Sequence, residues 1–207
     1  GTVKDNPTEK LSIARVKQNL PELISVQQVH RLLEQPATRS TPEAKRDRAM
    51  LELLYAAGLR VSELVSLNTN DVNTGARRLH CSDGQRKDRY LNFDEGPAQA
   101  LRDYMEAARP RLVQDKVEQA LFLNRRGERL TRQGFWQILK GYAKAAGLET
   151  DITPRTLRHS IATHLLLSGR MDLNQLSTFL GHANVATTQI YNQLAGQHVR
   201  SLGREQL

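Results

Sequence analysis

Arg155 and Arg158 stand three residues apart, which on a helix places both guanidinium groups on one face, and Leu157, Ile161 and Leu165 mark an apolar stripe beside them. Cations flanking a core stripe suit a wall that faces a polyanion. Where that polyanion carries phosphate, the planar fork of arginine matches two oxygens at once, which a lysine ammonium does not. Arg60 and Glu63 are likewise one helical turn apart, and Arg86, Lys87 and Arg89 form a third basic group just after the turn signal Asp83-Gly84. Taken singly, each of these fits an ordinary solvated charge as well as a functional one. Neither the histidines nor the carboxylates fall at metal-ligand spacing, and His30, His80 and His198 carry no signal of their own.

Lys and Arg total 30 against 22 Asp and Glu in 207 residues, a formal charge of +8 that favours nucleic acid among soluble partners. The balance of 39% hydrophobic and 25% charged residues is that of a globular domain and argues against a disordered or fibrous chain. Cys81 is the single cysteine, which excludes an intrachain disulfide and a cysteine cluster for metal and fits a reducing, cytoplasmic setting. No run approaches the roughly 18 apolar residues of a membrane span, and the opening GTVKDNPTEK lacks the apolar stretch of a signal peptide.

Helical periodicity has to position these residues. Val26, Val29, Leu32 and Leu33 predict a helix from Ser25 that Pro36 interrupts. Thr41 as cap and Pro42 in the first turn predict a stronger one over 42–57, lined by Met50, Leu53, Leu54 and Ala57 and closed by Gly58. A short helix over 61–67 carries Val61, Leu64 and Val65. Residues 76–93 alternate instead, around Asp83-Gly84, and predict a small β-hairpin with a basic tip. Leu101, Met105 and Ala108 predict a helix over 97–108 that breaks around Pro110, and Ala120 to Leu123 is either a lone strand or a buried loop. Thr131 precedes a helix over 131–146, and three more fit 154–168, 172–180 and 185–195, punctuated by Gly169 and Gly181-His182. The expected fold is mainly α with a small antiparallel β-sheet, a linker-like arm over 1–20 and one domain over 21–207.

Four blocks stand in a fixed order: LPELISVQQV at 20–29, AAGLRVSELVSL at 56–67, TPRTLRHSIATHLL at 153–166 and LGHANVATTQIY at 180–191. Together they resemble the tyrosine recombinases, the phage integrase family, and most closely the Xer branch with its transposon and phage relatives. The resemblance runs from about residue 20 to the C-terminus. It implies the family's catalytic-domain fold and site-specific breakage and rejoining of double-stranded DNA through a 3′-phosphotyrosine bond, with no metal and no cofactor. Such chemistry needs a covalent nucleophile, cations around the phosphate and a proton donor for the departing 5′ oxygen. By resemblance Tyr191 is the nucleophile, Arg60 and Arg158 hold the non-bridging phosphate oxygens, and His182 donates a hydrogen bond to the scissile phosphate. Glu63 falls where the family often has an acidic residue and either orients Arg60 or is a helix-surface charge. His159 and His164 lie inside the second-last block and are assigned to structure.

Two positions depart from the family pattern. Arg155 stands where the family usually has the histidine of His-x-x-Arg; positive charge is kept, but an arginine, with a pKa above about 12, is a poor proton acceptor. Gly84 stands where the family's hairpin carries its general-acid lysine, so either Arg86 or Lys87 is the substitute donor, Lys87 preferred because an amine is easier to tune than a guanidinium, or else both touch backbone phosphate only, with Arg86 and Arg89 at nearby DNA. The family usually places a helical domain ahead of the catalytic one, where this sequence has the arm with its Asp5-Asn6-Pro7, which fits either a catalytic fragment or a short member. Exchange in the family occurs in a tetramer, so a homo- or hetero-tetramer on DNA and a monomer when free are expected. Leu194, Val199 and Leu202, among the 16 residues after Tyr191, either reach a neighbour or pack in cis. A DNA-binding module with impaired catalysis and a type IB topoisomerase-like relaxing enzyme remain as alternative readings.

Overall fold

A computed structural model describes residues 23–82, 88–115, 117–148, 152–182 and 185–202. The Ser25 hydroxyl accepts the Gln28 N–H while the Gln28 side chain accepts the Ser25 N–H, a reciprocal cap that starts α1 (Val26–Glu34). The Thr41 hydroxyl caps α2 (Pro42–Ala57) by accepting the Ala44 N–H, without a reciprocal bond, and Gly58, at φ +54°, ends it. Helix α2 is buried on nearly every side, including Met50, Leu53, Leu54 and Ala57, because α1, α4 and α7 all pack on it. α3 (Val61–Ser66) leads into a three-stranded antiparallel sheet in chain order, β1 (Val72–Asn73), β2 (Arg78–Cys81) and β3 (Arg89–Asn92). The pairs Leu79↔Leu91 and Cys81↔Arg89 fix the register, so these four residues share the inward face.

α4 (Glu95–Asp103) continues through a π turn (Tyr104–Ala108) into α5 (Arg109–Leu112). The expected break at Pro110 does not occur there. The widened turn, in which the Arg109 N–H bonds to the Tyr104 carbonyl, sets the chain so that Pro110 falls in the first turn of α5, where its missing N–H leaves no gap. Ala120 to Leu123 is an extended, buried run held by isolated bridges, Asn68↔Ala120 and Leu123↔Arg129, rather than a strand of the sheet. α6 (Arg132–Ala145), α7 (Pro154–Leu167) and α8 (Leu173–Leu180) begin at the side-chain caps Thr131, Thr153 and Asp172. A 3₁₀ turn (Val185–Thr188) then feeds α9 (Gln189–Leu202), which runs past the expected end near 195.

Two apolar clusters result. The larger joins α1, α2, α4, α6 and the sheet and takes in Leu157 of α7; the smaller consists of Ala162, Leu176, Leu180, Tyr191 and Leu194, from α7, α8 and α9. Leu194 thus packs in cis. Among the described residues no helix is long and apolar enough to cross a membrane.

Gly58 is the tightest junction between these parts. A Cβ there would lie 2.6 Å from Phe179 Cε1, and the left-handed backbone already disfavours a side chain. Gly58→Ala is expected to destabilise the domain by more than about 1 kcal/mol, seen as a lower urea midpoint at unchanged slope. Gly147→Ala, at φ +66° but with open space around it, should lose less.

Candidate active site

The N-cap of α3 is Arg60, and its backbone N–H is accepted by Glu63 Oε2 at 2.7 Å. The same carboxylate takes Arg60 Nη1 on Oε1 at 3.0 Å and both Nη atoms of Arg89, at 2.7 and 3.1 Å. Glu63 is only 2% exposed. Burial would raise its pKa, but the Arg89 hydrogen bonds, the Arg60 N–H and the two positive charges outweigh that and hold it at about 2. Arg89 itself is turned inward by the β2–β3 register, and its Nε also donates to the Phe179 carbonyl at 3.3 Å. Expected from its sequence position at nearby DNA, it instead braces Glu63 and packs against Gly181, where a Cβ would lie 2.9 Å from Arg89 Nη1.

Arg158, on α7, is 8% exposed and donates Nη1 to the Gly58 carbonyl and Nη2 to the Leu180 carbonyl. Arg60 Nη2 donates to the Gly181 carbonyl at 2.9 Å. The carbonyls belong to the C-terminal ends of α2 and α8, where the backbone oxygens lack helical partners and the helix dipole is negative. Burial, then the nearby Arg60 charge, lowers Arg158 to about 10, which leaves it cationic at neutral pH.

His182 follows Gly181, and its Nδ1 lies 2.9 Å from the hydroxyl of the fully buried Thr188. Tyr191, in the first turn of α9, is 2% exposed, with its ring nearly parallel to that of His182 at 6.4 Å. Its hydroxyl lies 2.9 Å from Nδ1 of His159, and His159 Nε2 accepts Arg155 Nε–H at 3.0 Å. Both histidines are held at about 4, first by burial and then by the arginines, Arg155 and Arg158 around His159 and Arg158 and Arg60 around His182. Burial raises Tyr191, and the charges of Arg158, Arg155 and Arg60 oppose that rise. An open cavity of about 660 Å³ is lined by Arg60, Arg155, Arg158, His159, His182 and Tyr191. It combines a phenolic nucleophile, fixed cations and neutral imidazoles, a set suited to in-line attack on a phosphate diester. The Cys81 thiol is buried, which pushes it up to about 12.

The family model described as "Phage integrase family" matches residues 22–198. The chain belongs to the phage integrase family. Within it, the chain is 49% identical over 194 residues to the tyrosine recombinase XerC of Herpetosiphon aurantiacus, covering 94% of this chain and 63% of that protein. The crystal structure of XerA recombinase superposes with a TM-score of 0.78 at 30% identity, over 90% of this chain and 65% of that one. That of XerH site-specific recombinase bound to palindromic difH substrate, a post-cleavage complex, has a TM-score of 0.75 at 23% identity, covering 94% and 57%, and shares the fold. The chain thus spans about 63% of the length of the first curated relative it matches.

Among the integrase-family positions expected from sequence, Arg60, Glu63, Arg155, Arg158, His182 and Tyr191 come together around this cavity. Gly84, Arg86 and Lys87 lie outside the described residues. His159, assigned to structure from sequence, is a correction: it bonds the Tyr191 oxygen directly. Its signal was present, since it stands four residues after Arg155 and therefore on the same helical face. His164, by contrast, bonds the Tyr55 hydroxyl at 2.9 Å, away from the cavity. Thr188 and the three helix-end carbonyls carry no residue-type signal. Among the described residues no group of His, Cys, Asp or Glu side chains is arranged to hold a metal ion.

Removing Glu63 takes a buried carboxylate away from two guanidinium groups, those of Arg60 and the part-buried Arg89. Glu63→Ala should destabilise by about 3–5 kcal/mol, measured by urea unfolding. Because folding depresses this carboxyl from its ordinary 4.5 to about 2, the unfolded chain binds more protons in that interval. Its contribution is therefore complete above about pH 4.5 and declines as pH falls toward about 2, an acid-sensitive component that Glu63→Gln should lack.

Proposed function

We propose that this chain is the catalytic part of a site-specific tyrosine recombinase that breaks and rejoins double-stranded DNA through a 3′-phosphotyrosine bond. The observation that carries the reading is the convergence of the Tyr191 hydroxyl with Arg60, Arg158 and His182 on one open cavity. The names of its relatives, tyrosine recombinase XerC, XerA recombinase and XerH site-specific recombinase, the last bound to its difH substrate in a post-cleavage complex, support the same reaction. In this scheme Arg60 and Arg158, each already anchored by backbone carbonyls, turn their remaining N–H groups to the two non-bridging oxygens of the scissile phosphate. His182, neutral near pH 7, adds a hydrogen bond. The Tyr191 oxygen attacks phosphorus, the new O–P bond forms as the P–O5′ bond breaks, and the phosphodiester energy is kept for rejoining. The phenolic proton leaves to solvent in the cavity, and the 5′ oxygen gains one, for which we assign Lys87 as donor. Arg86 serves the adjacent backbone phosphates.

Action in the cytoplasm, where chromosomal DNA of bacteria lies, and assembly as a homo- or hetero-tetramer on two duplexes from a free monomer belong to the same proposal. Leu194 is occupied in cis beside Tyr191, so a contact with a neighbour would draw on the segment of α9 that follows it.

A nicked suicide substrate tests nucleophile, chemistry and substrate class together. Wild type should form a covalent protein–DNA adduct and Tyr191→Phe none; an adduct that survives Tyr191→Phe, or no wild-type adduct where a relative reacts, refutes the reading. Lys87→Ala should slow adduct formation roughly 10²–10⁴-fold. Replacing the bridging 5′ oxygen with sulfur should restore the rate, because a thiolate leaves without a proton; persistence of the defect would assign the donor elsewhere.

A further inference from the structure

The proton on His159 can be placed by elimination. Arginine Nε carries a hydrogen and acts only as a donor, so His159 Nε2, 3.0 Å away, is the bare nitrogen of the ring. A neutral imidazole has a single N–H, which then sits on Nδ1, and Nδ1 faces the Tyr191 oxygen at 2.9 Å. Burial and the charges of Arg155 and Arg158 keep the ring neutral, at about 4. His159 therefore donates to the tyrosine and is not its base.

We propose that Arg155 and His159 form a relay that holds an N–H on the Tyr191 oxygen and stabilises the phenolate through which cleavage passes, filling the place of the histidine missing at position 155. The inference rests on the recombinase reading and adds to it the means of activating the nucleophile. His159 touches the reacting atom. Arg155 is a positioning residue: it fixes the tautomer and, as a cation at the far nitrogen, polarises the Nδ1–H. A donor of this kind bonds a phenolate more strongly than a phenol, so its effect grows as the oxygen gains charge. The phenolic proton departs to the cavity solvent, and no second proton moves along the relay.

The groups facing the Tyr191 oxygen and the His159 ring agree with this direction. Arg155 and Arg158 approach from α7 and Arg60 from the start of α3, all positive, and His182 stands neutral with its ring nearly parallel to that of Tyr191. The nearest carboxylate of the site, Glu63, is engaged by Arg60 and Arg89. In members that keep a histidine at the first position of His-x-x-Arg, that side chain would lie where Arg155 lies here, one helical turn from His159.

Two NMR measurements and one kinetic measurement test the relay. In protein with ¹⁵N-labelled histidine, the His159 proton is expected on Nδ1, and Arg155→Met should move it toward Nε2; a wild-type proton on Nε2 overturns the proposal without any DNA chemistry. ¹³C-labelled tyrosine reports Tyr191 ionisation, which should require higher pH in His159→Ala than in wild type; an unchanged titration also overturns it. On the suicide substrate, His159→Ala should slow adduct formation roughly 10- to 100-fold at neutral pH, with the deficit shrinking as pH rises. His159→Asn, whose amide N–H takes the Nδ1 position, should keep most of the rate. A deficit equal at every pH, or an Asn variant as slow as Ala, would reduce His159 to a structural role while leaving the recombinase reading intact. Absence of a wild-type adduct would strike that reading instead, and the two NMR measurements would still decide the relay.

Discussion

Two guanidinium groups, Arg60 and Arg158, occupy one small volume, and their repulsion has to be offset by the protein itself before any phosphate enters. Backbone oxygens do much of this. Gly58, Leu180 and Gly181 present carbonyls from the ends of α2 and α8, and both helices stop at that point because a glycine takes the left-handed turn there, at φ +54° and +60°. A full negative charge completes the arrangement, since Glu63 joins Arg60 to Arg89. Sheet register, helix termination and the pairing of charges are thus one constraint: moving any of them leaves a buried cation without its counterpart.

The surplus positive charge shapes every other group in the cavity. Together with burial, which acts first, it keeps His159 and His182 neutral, so each imidazole is available as a hydrogen-bond partner without adding another cation, and it opposes the effect of burial on Tyr191. The cavity is therefore lined by preorganised donors around the Tyr191 oxygen, and the proposed chemistry would need little reorganisation as charge developed there.

Much of this was legible in the residues. Helices α2, α6 and α7 could be placed because cap, apolar period and terminator coincide, and Arg60, Arg158, His182 and Tyr191 stood in blocks of family-specific order. The losses have identifiable causes. β1 is two residues long, too short for alternation to register, and Pro110 reads as a break unless a π turn before it is anticipated. Arg89 was expected at nearby DNA with the rest of the hairpin's basic group, although its parity with Leu91 and Phe93 already put it on the inward face. His159 was assigned to structure although its spacing put it on the face of Arg155; that this face meets Tyr191 depends on the approach of α9, a contact across 32 residues that no local pattern encodes.

Tyr191 is both the group that would bond to DNA and one of the five buried members of the smaller apolar cluster. Helix α7 is the wall between the two cores, giving Leu157 to one and Ala162 to the other. A DNA end attached at Tyr191 would be moored to the α7–α8–α9 joint, and a pull on that end would load this joint before it reached the main core. The grip on a broken strand is then set by the cohesion of a few side chains such as Leu176, Leu180 and Leu194, quite apart from the strength of the covalent link.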